Sequence, residues 1–288
     1  MEAGLQIFKI KLAEFYATND EKHRKELNEW LIKCQKDDQS WNLGWQILHQ
    51  NNVTMDPIYE KLFALNCLYT KLTDSTFFDR FILESDGILN LGETLINLCE
   101  NFSTIQLLIS KCCACFVVYL LRTMPDIFSD PFKILKDRWY SGYPSILLDV
   151  YGSLIEEFRN LAQPLPRRNN VRSYLRQNEA FVANCAAELL QKTPVDLCTV
   201  QSAIKCVQSW ISFDGCDLSD WKSIIVLCLS QLNLDSGDTI SCLAKFFETF
   251  VENSQLIRME KFAGQLFDYA ESQSKSWERS DNSSKLWL

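Results

Sequence analysis

Residues 27–48 read LNEWLIKCQKDDQSWNLGWQIL. Leu27, Trp30, Leu31 and Cys34 fall at i, i+3, i+4 and i+7, which places them on one face of a helix. Lys36, Asp37, Asp38 and Gln39 cannot continue that stripe. Ser40 is an N-cap type of residue, and Trp41, Trp45 and Leu48 restart the pattern at helical spacing. The stretch therefore predicts two amphipathic helices around a polar corner. Neither can bury its apolar face alone, so each requires a neighbour.

The rest of the chain supplies such neighbours. Helices are predicted over 4–17 (Leu5, Phe8, Leu12, Phe15), 21–35, 41–50 and 55–72 (Ile58, Leu62, Leu65, Leu68, Leu72). A further helical region covers 76–98 with a break near Ser85-Asp86-Gly87. Next come a helix capped by Ser103 and ended by Pro125, a short one over 131–138 and one over 146–158. A two-proline loop at 160–166 precedes a long helix over 167–191. Thr193-Pro194-Val195-Asp196 reads as the start of another, carried by Val200, Ile204, Val207 and Ile211. Further stripes follow over 217–232 (Trp221, Ile224), from about 236 to 250, and over 254–270. The tail from 271 to 288 loses periodicity and reads as a loose end.

No stretch alternates with period two, so the fold class is all-α. About thirteen helices recur as pairs roughly every 40 residues, the period of a helical-repeat solenoid, and residues 1–270 accommodate about six such repeats. A compact all-α domain is the structural alternative.

Composition agrees with helices. The 288 residues include only 9 glycines and 7 prolines, below average usage of about 7% and about 5%. That weakens readings built on Gly-rich phosphate loops or on β-sandwich turns. A net charge of −8 argues against nucleic acid and anionic membrane as partners. The start MEAGLQIFKIKLAEF has no signal-peptide apolar segment, which with scattered cysteines points to a reducing compartment. The longest apolar run, 112–121, is too short to span a bilayer.

Catalytic chemistry has little to stand on. His23 and His49 lie among polar residues and read as solvated. Cys112 and Cys115 form a C-x-x-C, but within an apolar run and without two further ligands nearby, so they read as core. The expectation is a non-enzyme with no metal and no cofactor. Trp30, Trp41, Trp45 and Trp210 read as structural anchors, the first two locking the first repeat onto the second. Within the basic run Arg167, Arg168, Arg172 and Arg176, the last three share one helical face. They read as a solvated face or as a contact for an acidic partner segment.

Several segments together resemble the importin-β (karyopherin) superfamily, and most of all its branch with importin-13 and transportin-SR. Trp30-Leu31, Gln35 and Ser40-Trp41 are similar to a signature near the start of that family. Leu68 to Leu72, with Lys71, resembles the end of its second repeat. Leu108-Ile-Ser-Lys111-Cys112 through Met124-Pro125 resembles a helix of its third. Glu156-Glu157-Phe158 resembles a further segment, with Ile155 where the family has proline, and 167–190 followed by Val207-Gln-Ser-Trp210-Ile211 resembles its fifth repeat.

The resemblance implies HEAT-type repeats in a right-handed superhelix and a nuclear transport receptor that shuttles between cytoplasm and nucleus. Its partners would be Ran in its GTP form, protein cargo and nucleoporins. Family members are far longer, so the chain resembles only their N-terminal arch. By the family pattern the second helix of each pair is the inner one. Its exposed polar residues are then the candidate Ran or partner contacts: Glu26, Glu29, Lys61, Lys71 and Lys111, with Lys71 and Lys111 matching charged family positions. A helical-repeat scaffold that binds a protein partner independently of Ran is the alternative function.

Overall fold

The computed structural model describes residues 2–49, 57–83, 87–192 and 196–214, with 216, 220, 221, 223–225 and 227 beyond them. Among these residues every regular element is helical. In chain order they are α1 (Glu2–Ala17), α2 (Glu21–Lys36), α3 (Ser40–His49), α4 (Pro57–Thr73) and α5 (Ser75–Phe77), which continues as a π-helical turn (Phe78–Leu83). Then follow α6 (Ile88–Asn101), α7 (Gln106–Thr123), α8 (Pro131–Trp139), α9 (Pro144–Asn160), α10 (Leu165–Gln177), α11 (Glu179–Leu190) and α12 (Leu197–Ile211).

The helices stack as five pairs: α1 on α2, α3 on α4, α6 on α7, α8 on α9 and α11 on α12. The second helices also pack side by side, α2 on α4, α4 on α7, α7 on α9 and α9 on α12, making one continuous layer. This is the all-α stack of helix pairs that the apolar stripes require, each pair covering its neighbour's exposed stripe. A sixth repeat, the helices expected beyond 228 and the tail at 271–288 lie outside the described residues. So do Ser85-Asp86, Thr193-Pro194-Val195, Cys228 and Cys242.

The core follows those stripes. Phe8 and Leu12 of α1, Leu65, Leu68 and Leu72 of α4, and Leu147, Val150, Leu154 and Phe158 of α9 are all buried. Helix α7 buries twelve of its 18 residues, being covered by α4, α6 and α9. It is longer than the apolar run at 112–121, and by length and composition could cross a membrane, but 67% of it is buried inside the stack. Two crossings are close enough to need glycine. A Cβ on Gly44 would stand 3.1 Å from the Ala64 carbonyl oxygen of α4, and one on Gly152 would stand 3.0 Å from Cys206 Cα of α12.

Helix boundaries differ from expectation in four places. Ser40 is the first residue of α3, and its hydroxyl donates to the Gln35 carbonyl at 2.9 Å instead of capping. Helix α7 starts at Gln106 without a side-chain cap, so Ser103 plays no such part. The long helix over 167–191 is two. Asn178 separates α10 from α11 with ψ near 2°, its backbone N–H bonded to the Leu175 carbonyl and its side-chain amide to that of Tyr174. Helix α12 starts at Leu197, capped by Asp196, whose carboxylate accepts from the Thr199 N–H at 2.8 Å.

Candidate functional site

The second-helix layer carries the candidate partner contacts, and two different environments emerge along it. One is the edge where its helices end. The last carbonyls of a helix have no partners inside it and carry the negative end of its dipole. Here cations of neighbouring elements cover them. Lys71, near the end of α4, donates to the Lys36 carbonyl that ends α2 (2.9 Å) and to Asp38 Oδ1 (3.2 Å). Arg122, near the end of α7, donates to the Leu72 and Thr73 carbonyls that end α4, at 2.7 and 2.5 Å. Gln163 donates to the Leu121 carbonyl of α7 at 3.0 Å, and Arg167 bonds the Met124 carbonyl and pairs with Asp126. Arg159 of α9 bonds the Ser212 carbonyl beyond α12.

This edge corrects the reading of Lys71. It is 2% exposed, lies over the Phe77 ring with its ammonium 5.0 Å from the centroid, and holds the end of α2 in place. An exposed partner contact it is not. The charged position that matched the family pattern is here a residue of the fold.

The second environment joins three helices of the layer through their side chains. Lys111 of α7 sets its ammonium 3.7 Å from the centre of the Tyr69 ring of α4. The Tyr69 hydroxyl donates to Glu157 Oε2 of α9 at 2.8 Å. Three consecutive layer helices thus meet in one polar group. Burial pulls the Lys111 ammonium below its usual value, against the pull of Cys115 and Glu157. Burial likewise pushes the Glu157 carboxyl up, with the Tyr69 hydrogen bond and Lys111 opposing it. Both charged forms are held in a partly dry setting, where an incoming group of opposite charge is attracted more strongly than in water.

Lys61 is half-buried, its ammonium 5.1 Å from the centre of the Phe102 ring. Glu26 and Glu29 are exposed on α2. Tyr69, Glu157 and the Ser209–Glu156 hydrogen bond between α12 and α9 (2.8 Å) were not read as site residues from the sequence. Glu156 and Glu157 lay in a family-like segment, but nothing local ties them to residues 53 and 88 positions away.

The anchors divide by position in the stack. Trp210 is fully buried, stacks on Trp221 with centroids 5.9 Å apart, and donates its indole N–H to the Tyr151 carbonyl at 2.9 Å. Trp30, Trp41 and Trp45 are only half-buried, packed against the margin of the core. Trp41 and Trp45 meet edge to face at 5.6 Å, and Lys11 lies over the Trp30 ring.

The arginine face is not merely solvated. Arg168 and Arg172 are half-buried, their guanidiniums 4.6 and 5.9 Å from the centre of the Phe158 ring. Arg168 donates to the Leu161 carbonyl (3.1 Å), and Arg176, which is exposed, donates to the Asp214 carbonyl (2.6 Å). Helix α10 is thereby fastened across the ends of α9 and α12.

The thiols sit as packing groups. Cys112 and Cys115 are both buried, and Cys115 Sγ donates to the Leu65 carbonyl at 3.4 Å. Burial pushes the Cys67 and Cys115 thiols up to about 12, the opposite of a reactive thiolate. His23 and His49 are exposed, and His49 Nδ1 lies 2.7 Å from the Trp45 carbonyl.

Fold and face together define an all-α helical-repeat stack with a continuous second-helix layer. The chain is similar to importin-13 of Gallus gallus, 23% identical over 229 residues. That match covers 77% of this chain and 23% of importin-13, so the chain spans under a quarter of the length of the curated relative. No protein-family model matches it. The likeness supports a karyopherin-like relationship.

Proposed function

We propose that the chain is the N-terminal arch of a nuclear transport receptor, binding RanGTP and protein cargo through the face of its second-helix layer. The observation that carries this is the similarity to importin-13, which extends over 77% of the chain. The stack of pairs supports it, because partners of such arrays dock across many repeats at once. The contacts would come from Glu26 and Glu29 on α2, Lys61 on α4 and Lys111 on α7, with Tyr69 and Glu157 holding Lys111 in place. Lys71 is left out of this set because the fold consumes it.

In this reading the chain is not an enzyme and needs no cofactor. It shuttles between cytoplasm and nucleus and passes the pore by contact with nucleoporins. Ran and cargo influence one another through the stack, since a ligand that binds one curvature better shifts the array toward it. Each charged contact is individually weak, so affinity arises from many of them. The test is a pull-down of the immobilised chain with Ran loaded with GTP or with GDP. Retention of the GTP form alone is the expected result. A partner captured equally in either state, or in the absence of Ran, would favour the Ran-independent scaffold instead.

A further inference from the structure

Helix α10, LPRRNNVRSYLRQ, has four arginines and no acidic residue. Arg167 is paired with Asp126. The other three, with Arg159 of α9, have no carboxylate partner among the described residues. Some cations elsewhere do have such partners: Arg138 is held by Glu93 and Glu100, and Lys136 by Glu188. The bonds that the four unpaired guanidiniums do make leave donors over. Arg168 and Arg176 each give one N–H to a backbone carbonyl, Arg159 bonds Ser212 through one Nη, and Arg172 has a buried Nε–H with no acceptor. A guanidinium has five donors in a planar fork that matches a carboxylate.

We infer that this arginine cluster on α10, at the ends of α9 and α12, docks an Asp/Glu-rich extended segment of a partner protein. Its spacing argues for an extended segment. Arg168, Arg172 and Arg176 succeed one another at i, i+4, so their Cα atoms span roughly 12 Å along the helix. In an extended strand, side chains on one side recur about every 6.6 Å, so two or three acids of alternating sequence meet the row, whereas one compact anion meets a single arginine. Asn169, Ser173 and Gln177 are exposed beside the row and offer amide and hydroxyl partners to a peptide backbone. The rings supply preorganisation, because Phe158 fixes the Arg168 and Arg172 planes in advance and so reduces the entropy lost on binding. In a chain of net charge −8 such a row is a local exception. The inference does not rest on Ran binding and concerns other residues than those proposed to contact Ran.

The probe is a fluorescent peptide of alternating Glu and Ser, titrated with the full chain by anisotropy at low ionic strength. The wild-type chain should bind it and lose it as salt is raised. Arg172→Gln with Arg176→Gln should weaken binding about ten-fold, on the scale of a coupled charge pair. Arg176→Gln alone, which removes one exposed hydrogen bond, should weaken it less while shifting the melting curve by no more than a few degrees, and Arg176→Lys should recover part of the loss. Absence of binding by the wild-type chain would overturn the inference. So would binding unaffected by Arg176→Gln, or a single-stranded oligonucleotide of equal charge binding through the same arginines as tightly as the peptide.

Discussion

Replacing Lys71 by Met isolates what a buried cation contributes at the end of a layer helix. The aliphatic stem is largely kept, and the ammonium is removed. Three interactions go with it. The charge-assisted hydrogen bond to the Lys36 carbonyl, 2.9 Å long, is of a kind worth about 1.5–3 kcal/mol. The contact with the Phe77 ring, 5.0 Å from its centre, adds about 0.5–1 kcal/mol. The ion pair with Asp38 adds below about 1 kcal/mol, because the Asp38 side chain is 71% exposed and water screens it. Against these stands the cost of burying an ammonium, which Met does not incur. A net loss of about 2–3 kcal/mol follows. Lys71→Ala should lose roughly 2 kcal/mol more, as three buried methylenes also go. Urea unfolding followed by circular dichroism measures both, the shift in midpoint at constant slope giving the energy. A Met variant within about 0.5 kcal/mol of wild type would refute the role given to Lys71 and return it to the set of partner contacts.

Trp210→Ala should cost about 3–5 kcal/mol, since the ring is fully buried and its N–H would leave the Tyr151 carbonyl unpaired; half-buried Trp30→Ala should cost about half as much in the same unfolding assay. Gly152→Ala should destabilise by about 1–3 kcal/mol through the 3.0 Å approach to Cys206 Cα, because backbone on both sides must separate; thermal melting with an unchanged midpoint would show that α9 and α12 are looser than described. Burial raises the Glu157 carboxyl, so the folded state holds that proton above the ordinary value of about 4.3 and the residue's contribution to stability falls as pH rises through the raised value. Glu157→Gln should therefore be at least as stable as wild type at pH 7, with the difference closing near pH 4. A Gln variant clearly less stable at pH 7 would mean that Lys111 and Tyr69 outweigh burial.

The helix pairs were legible because their stripes are local. Leu27, Leu31, Leu147, Val150 and Leu154 announce a buried face within two or three turns, and all are buried. The division at Asn178 was hidden for the same reason. Val171, Leu175, Val182 and Cys185 continue one helical period across a single-residue interruption, and Asn178 restores the bonding through its own side chain. Asp196 was read as an early acid of α12, and only the geometry shows it to be the cap, with its carboxylate on the Thr199 N–H.

Burial set by distant segments could not be read. Lys71 looks like a polar residue beside the stripe of Leu68 and Leu72, and it is covered by a corner 33 to 35 residues earlier. The tryptophans near the start look as apolar as Trp210. Trp30 is half-buried because α1 and α2 begin the stack and have a neighbouring pair on one side only, and Trp41 and Trp45 of α3 lie at the margin of the core, whereas Trp210 lies deeper and meets α9 and Trp221. The group of Tyr69, Lys111 and Glu157 needed three helices brought side by side before it existed at all.

The most direct test of a karyopherin-like arch is the affinity of the chain for Ran in its two nucleotide states, measured by calorimetry on the wild-type chain and on Lys111→Glu. The account requires RanGTP to bind at least about ten-fold more tightly than RanGDP, a difference of about 1.4 kcal/mol, and Lys111→Glu to reduce that preference without lowering the melting temperature by more than a few degrees. Equal affinity for the two forms, or a preference untouched by reversing the charge at Lys111, would contradict it.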